Sequence, residues 1–449
     1  MHFGEKLGHS KKKNSMGILS SLTREQKEAV GLLQIGTFLE YFDLMLYVHM
    51  AVLLNELFFP KTDPHTAALL TAFAFCSTYV LRPFGALLFG WIGDNIGRKT
   101  TVIITTMMMS VSCVIMANLP TYAQIGISAA WIVTICRITQ GLSSMGEIMG
   151  AEIYLTEITK PPIQYPTAAL PSLAAAIGGM AALGISVLVT TYEGNWRIAF
   201  WIGAGVAVIG SMARTRLRET PEFIEGKRKR QKNIEKFYTH QEKINKKTFI
   251  FCLLIFCGWP VSFYLGFMYF NQFLKSLYGY SAEDIIVHNL FLSVVMVITE
   301  ILVIKLSYKV HPLKILKVRG FFGLVLLMFL PLIILNCHSI YSIFITQSLL
   351  LIFHLAHSPA PSVIIKNFPI FKRFTATSFS YASTRATMYI ITSFGLVYLT
   401  ESFGHYGLWF ITVPIAAGFL WGVNHFVKLE KASGNFPSSK KPDELIIKC

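Results

Sequence analysis

Residues 90–99 read GWIGDNIGRK and stand between two apolar runs, roughly 66–92 and 99–119. A helix of about 20 apolar residues crosses a hydrocarbon core about 30 Å thick, so this stretch reads as a short loop at a membrane surface. Gly90, Gly93 and Gly97 allow a tight turn and close helix contact. Asp94 is suited to accept hydrogen bonds at a helix start, where an anion is favoured. Arg98 and Lys99 hold the loop on the side that gathers positive charge.

Working outward, apolar runs of the same kind recur along nearly all 449 residues: 28–54, 66–92, 99–119, 123–153, 168–192, 196–214, 248–274, 283–306, 317–336, 339–366, 373–400 and 404–428. Hydrophobic residues make up 53% of the chain and charged residues 14%, against about 25% charged in soluble domains. Mean hydropathy is +0.53. Barrel strands would alternate in hydrophobicity over about ten residues, and these runs do not. The N-terminal MHFGEKLGHSKKKNSMG is polar and basic, unlike a cleavable signal. The sequence predicts an all-α integral membrane protein with twelve transmembrane helices.

The net charge of +16 invites a nucleic-acid reading, but its placement argues against one. With the N-terminus placed in the cytoplasm, 34 of the 40 Lys and Arg fall in loops and tails on that side. Lys61, Arg197 and Lys275 fall opposite, and Arg82, Arg137 and Arg385 lie inside runs. That bias is the positive-inside rule with both termini cytoplasmic. No nucleic-acid partner, cofactor or metal is expected. The seven Cys lie mostly inside runs without metal-ligand spacing. The one long polar interruption, with KRKR at 227–230, reads as a solvated basic linker. It divides the chain into a tail (1–27), a six-helix bundle (28–214), the linker (215–247), a second six-helix bundle (248–428) and a tail (429–449), an arrangement common among secondary transporters.

GWIGDNIGRK resembles the loop between the second and third helices of the major facilitator superfamily, written G-x-L-[AG]-D-x-x-G-R-K/R. It agrees at Gly90, Gly93, Asp94, Gly97, Arg98 and Lys99, and departs at Asn95, where many members are basic. GTFLEYFDLMLY (36–47), LRPFGALLFG (81–90), RITQGLSSMGE (137–147), NWRIAFWIGA (195–204) and LRETPEF (217–223) are similar to the metabolite:proton symporter branch. That branch includes proline/betaine, α-ketoglutarate and citrate carriers. The resemblance covers the first half well and the second half mainly by hydropathy. It implies two six-helix bundles around a central cavity, alternating access, and residues 90–99 as a gating loop.

Charges inside the runs then become candidates. A carboxylate at mid-bilayer costs about 2.5–3.5 kcal/mol even on the lenient insertion scale. At 100° per residue, Gly36, Glu40, Asp43 and Tyr47 share one stripe; Arg137, Gln140, Gly141, Ser144 and Glu147 share another. Such stripes face a bundle interior or a wet cavity. Asp43 and Glu147, with Glu40 secondary, are the expected proton carriers. Arg137, Gln140, Arg385 and Tyr41 are the expected substrate contacts. Glu152 points the same way nearer the cytoplasmic end, while His354 and His357 read as hydrogen-bonded packing and Arg82 as structural. Trp259, Tyr264 and Tyr269 read as core or belt aromatics, and GGMAALG (178–184) as close helix packing.

The expected activity is uptake of a small polar metabolite with protons across a bacterial cytoplasmic (inner) membrane, by a monomer. A proline- or betaine-type zwitterion comes first, a di- or tricarboxylate second, and exchange or facilitated passage is the rival mode. Span five lacks the glycine-proline pattern of proton antiporters. No nucleophile–base pair or metal cluster suggests an enzyme.

Overall fold

The computed structural model describes residues 22–49, 54, 57–59, 79–191, 195–232, 243–336 and 339–437. Parts of the expected tails, the second apolar run through residue 78 and the linker stretch 233–242 lie outside the described residues.

The first bundle contains α1 (Arg24–His49), α2 (Arg82–Asn95), α3 (Arg98–Asn118), α4 (Ile127–Ile158), α5 (Gln164–Thr191) and α6 (Arg197–Arg214). The linker carries α7 (Pro221–Lys232). In the second bundle, α8 (Lys246–Phe256) runs on through Gly258–Phe263, a π-helical turn at Tyr264–Tyr269 and Phe270–Tyr278. Then come α9 (Ala282–Ser307), α10 (Pro312–Leu335), α11 (Ile340–Ile352), α12 (Pro361–Ile365), α13 (Arg373–Ile390) and α14 (Trp409–Ala432). Among the described residues, seven helices are long and apolar enough to cross a membrane by length and composition. Helix outer faces leave Phe84, Trp131, Met212, Phe291, Leu302 and Trp421 exposed, a surface that suits lipid rather than water.

Local chemistry sets several helix starts. Ser281 caps α9 with a reciprocal box: its Oγ accepts from Asp284 N–H at 3.1 Å, and Asp284 accepts from Ser281 N–H at 3.0 Å. Asn245 accepts from Lys247 and Thr248 N–H at the start of α8. Pro312 occupies the first turn of α10, where its missing N–H costs nothing.

The expected run 339–366 is not one helix. Helix α11 ends at Ile352, and residues 353–360 are largely non-helical before α12. Pro359 and Pro361 disfavour helix in the residues before them and supply no N–H. The freed groups find protein partners: Leu355 N–H donates to Ser262 Oγ at 3.0 Å, and Arg319 donates to the carbonyls of Ile352 and Ser358. Non-helical backbone at membrane depth is tolerated where protein or a cavity surrounds it. The break carries His354 and His357 inward.

The bundles meet along α2 with α13 and α5 with α9. Glycine makes the first contact close: a methyl on Gly90 would strike the Thr375 backbone, and one on Gly93 the Phe374 ring. Within the first bundle Gly178 lies against the Phe38 carbonyl, so α5 and α1 pack backbone to backbone.

Candidate functional site: a central cavity above a charged seal

The loop 90–99 builds a seal between the bundles. Asp94 accepts from the N–H groups of Phe374 (2.9 Å) and Thr375 (2.8 Å). These are orphan donors in the first turn of α13, where the helix dipole also favours an anion. Arg98, fully buried, donates to the Gly93 carbonyl, to Glu157 at 3.1 Å and to the Ile370 carbonyl at 2.6 Å. Glu157 also accepts from Arg373 at 3.0 Å, and Arg373 reaches Glu222 of α7 at 3.0 Å. The N–H groups of Arg98 (3.0 Å) and Lys99 (3.3 Å) donate to Glu219. Gly97 is needed there because a methyl would collide with that carboxylate. The departure at Asn95 is harmless to the seal, since its side chain is exposed and donates to the Trp91 carbonyl.

We expect Asp94→Ala to loosen this seal. Two buried N–H groups lose their acceptor, at about 1–3 kcal/mol each. Amide hydrogen exchange at Phe374 and Thr375 should accelerate at least about tenfold; unchanged protection would show the seal does not depend on Asp94.

Beyond the seal lies a cavity between the bundles. The first bundle contributes Tyr41, Tyr79 and Arg82; the second contributes Trp259, Glu300, His354, His357, Arg385 and Tyr389. Tyr41 and Tyr381 share a hydroxyl–hydroxyl hydrogen bond of 3.0 Å across the bundles, and the Tyr79 and Tyr389 ring centres lie 4.3 Å apart, tilted by 45°. The Arg385 guanidinium lies 4.1 Å from the Tyr381 ring centre and 5.9 Å from that of Trp259. Among the described residues it has no carboxylate within 4 Å. Arg82 stacks on Tyr79 at 4.5 Å and pairs with Glu40 at 3.6 Å. Arg82 is thus part of the cavity wall rather than packing alone.

The expected site residues do not all gather there. Tyr41 and Arg385 line the cavity, whereas Arg137 and Gln140 do not. Arg137 instead donates to Asp43 at 3.0 Å and to Gln140 at 2.9 Å, with the Tyr47 ring 4.1 Å away. Cys113 donates weakly to Asp43 at 3.7 Å. A buried guanidinium binds the nearest carboxylate, and for Arg137 that is Asp43 on α1, not a molecule in the cavity. Glu147 faces α3 and α6, where it accepts from Thr106 at 2.7 Å and pairs with Arg214.

Arg214 and Arg319 each sit at a run's edge, where the sequence groups them with the loop charges. Both are buried. Arg319 donates to the His354 ring at 2.8 Å, and His354 Nε2 lies 3.2 Å from Glu300. Glu300 could have been found: it is an acid inside the run 283–306, the kind of residue that marks a site. His357 and Glu152 approach to 2.9 Å, so both histidines of the broken segment face buried carboxylates.

Similar proteins fit this geometry. Against relatives, the chain is 28% identical to a proline/betaine transporter of Salmonella typhimurium over 57% of this chain and 54% of that one. It is 29% identical to a citrate-proton symporter of Salmonella typhi, over 58% and 61%. An inner membrane metabolite transport protein of Escherichia coli K12 is 36% identical over 42% and 45%. The chain thus spans about half to three fifths of these relatives' lengths. A solved proton:xylose symporter superposes with a TM-score of 0.73 over 90% of this chain and 95% of its own, at 15% identity. The human organic anion transporter MFSD10 superposes at 0.66, 13% identical, over 90% and 100%. At those identities the structures speak to fold alone, which is the twelve-helix arrangement expected from the runs. The profile of the Major Facilitator Superfamily matches residues 33–384, and the chain belongs to that superfamily of membrane transporters, not to an enzyme family.

Proposed function

We propose that this protein is a proton-coupled symporter that imports a small metabolite carrying one carboxylate, with a proline- or betaine-type zwitterion as first choice. The carrying observation is Arg385, a guanidinium that lines the cavity and has no carboxylate within 4 Å among the described residues. Arg82 and Arg385 share the single carboxylate of Glu40, which pairs with Arg82 and feels Arg385 beyond it. Glu300 and Arg319 offset each other, and Glu152 faces His357. Arg385 is then the cavity cation with no carboxylate within 4 Å among the described residues, and a planar guanidinium favours a carboxylate. The faces of Trp259 and Tyr381 beside it suit an apolar or quaternary-ammonium body. The similarity to proline/betaine transporters supports the zwitterion, and the similarity to a citrate-proton symporter supports proton coupling.

Asp43 is assigned the coupling proton, with Arg137 and Gln140 as its setting; Glu40 and Glu147 are secondary. Tyr41 and Arg385 meet substrate. The protein works as a monomer in a bacterial cytoplasmic membrane with both termini inside, which puts the seal of Asp94, Arg98 and Glu157 on the cytoplasmic side.

Radiolabelled uptake into proteoliposomes under an inward proton gradient tests this, with proline, glycine betaine, α-ketoglutarate and citrate compared. One zwitterion should accumulate, and only with the gradient. Arg385→Ala should cut uptake at least tenfold through KM, with Arg385→Lys between, since Lys keeps the charge and loses the fork. Gradient-driven citrate uptake with no response to proline or betaine would overturn the substrate class.

A further inference from the structure

We infer that His357 and Glu152 form a second proton-carrying pair, one made and broken by the movement of the bundles. This rests on the symport reading above and extends it. Glu152 belongs to α4 of the first bundle, and His357 to the broken segment between α11 and α12 of the second. His357 Nε2 lies 2.9 and 3.2 Å from the two carboxylate oxygens. Both side chains are buried, at 7% and 0% exposure. His357 lines the cavity. Glu152 stands five residues before Glu157, which is part of the seal; along a helix that is about 7.5 Å. The pair therefore forms the floor of the cavity, directly above the seal.

Charge pairs away from the seal behave differently. Asp43–Arg137, Glu147–Arg214 and Glu40–Arg82 lie within the first bundle, and Glu300–His354 within the second. Their partners travel together when the bundles rock. Among the described residues, His357–Glu152 is the histidine–carboxylate pair that spans the two bundles. The groups around His357 are few. The Phe256 ring of α8 is 5.0 Å away and the Tyr381 ring of α13 6.1 Å. Arg385 stands behind Tyr381, while Glu300 and Arg319 are tied to the neighbouring Ser358.

With the floor closed, the His357 imidazole takes one proton from water on the cavity side. The resulting imidazolium donates from Nε2 to the Glu152 carboxylate, a charge-assisted bond stronger than the neutral one. When the bundles part at the seal, imidazolium and carboxylate separate into water, and the imidazolium returns its proton to water on that side. That charge-assisted bond exists in the closed state alone, so the proton favours closure. That order, uptake while closed to the cytoplasm and release on opening, is what import with protons requires.

The test needs no substrate. Spin labels on an unnatural ketone residue at positions 95 and 309, both exposed at the loop end, report bundle separation in nanodiscs of the full chain. In wild type the closed-to-open ratio should rise at least fivefold from pH 8 to pH 5. His357→Gln keeps a donor near Nε2 but cannot be charged, and Glu152→Gln removes the anion; in both the ratio should stay within twofold. A wild type without the rise, or a rise that survives in both floor variants, overturns the inference. If wild type shows the rise but no gradient-driven uptake of any substrate tested, the symport reading fails instead.

Discussion

Arg214→Met should leave little folded protein in the membrane. Arg214 is completely buried, and its guanidinium serves Glu147, Thr106 and the carbonyls of Leu32 (3.0 Å) and Leu33 (2.8 Å). It therefore ties α1, α3, α4 and α6 together at one point. Removing it strands the Glu147 carboxylate, itself 1% exposed, with Thr105 and Thr106 as its remaining donors among the described residues. Breaking a buried pair in this one-sided way costs about 3–5 kcal/mol, a large part of the about 5–15 kcal/mol that holds a protein folded. The monodisperse fraction on size exclusion should collapse and Tm fall sharply. Glu147→Gln in the same chain should recover part of the loss, because no bare charge is then left behind. A wild-type Tm for Arg214→Met alone would show that Glu147 draws its stabilisation elsewhere. Gly36 is part of the same junction, since a methyl there would fall on the Arg214 guanidinium and Glu147 carboxylate.

Asp43→Asn should abolish accumulation while sparing exchange. The carboxylate is 3% exposed and its strong partner is Arg137 at 3.0 Å. An amide keeps the shape and a hydrogen bond to Arg137 but neither binds nor releases a proton. Substrate should then equilibrate to a concentration ratio of about one, with counterflow retained and substrate-driven alkalinisation outside the vesicles lost. Arg137 stays supported by Gln140 and the Tyr47 ring, so the variant should still fold. Accumulation equal to wild type would remove Asp43 from coupling and leave it a structural counter-ion to Arg137.

The site was legible in part. Asp43 and Arg137 stood out because a charge within an apolar run is costly wherever it is found. That they pair with each other was not legible, since 94 positions separate them in the chain. Glu147 was visible by the same logic, but its partner Arg214 was hidden among twelve loop-edge cations of the linker region. Hydropathy averages over a window and cannot say whether an arginine at a run's end turns out to water or in to a carboxylate.

What the sequence determined by itself was everything carried by near neighbours. Twelve apolar runs, the charge bias of the loops and the spacing of GWIGDNIGRK depend on residues within one span or one turn. They settle the solvent, the element type and the family. Tertiary structure decided which charges meet. It turned Arg137 away from the cavity and toward Asp43, sent Asp94 to the first turn of α13, and broke the tenth run so that His357 reaches Glu152 across 205 positions. The reason is physical: in a medium without water every buried charge must find its partner inside the protein, and only the folded packing of helices says which partner is near.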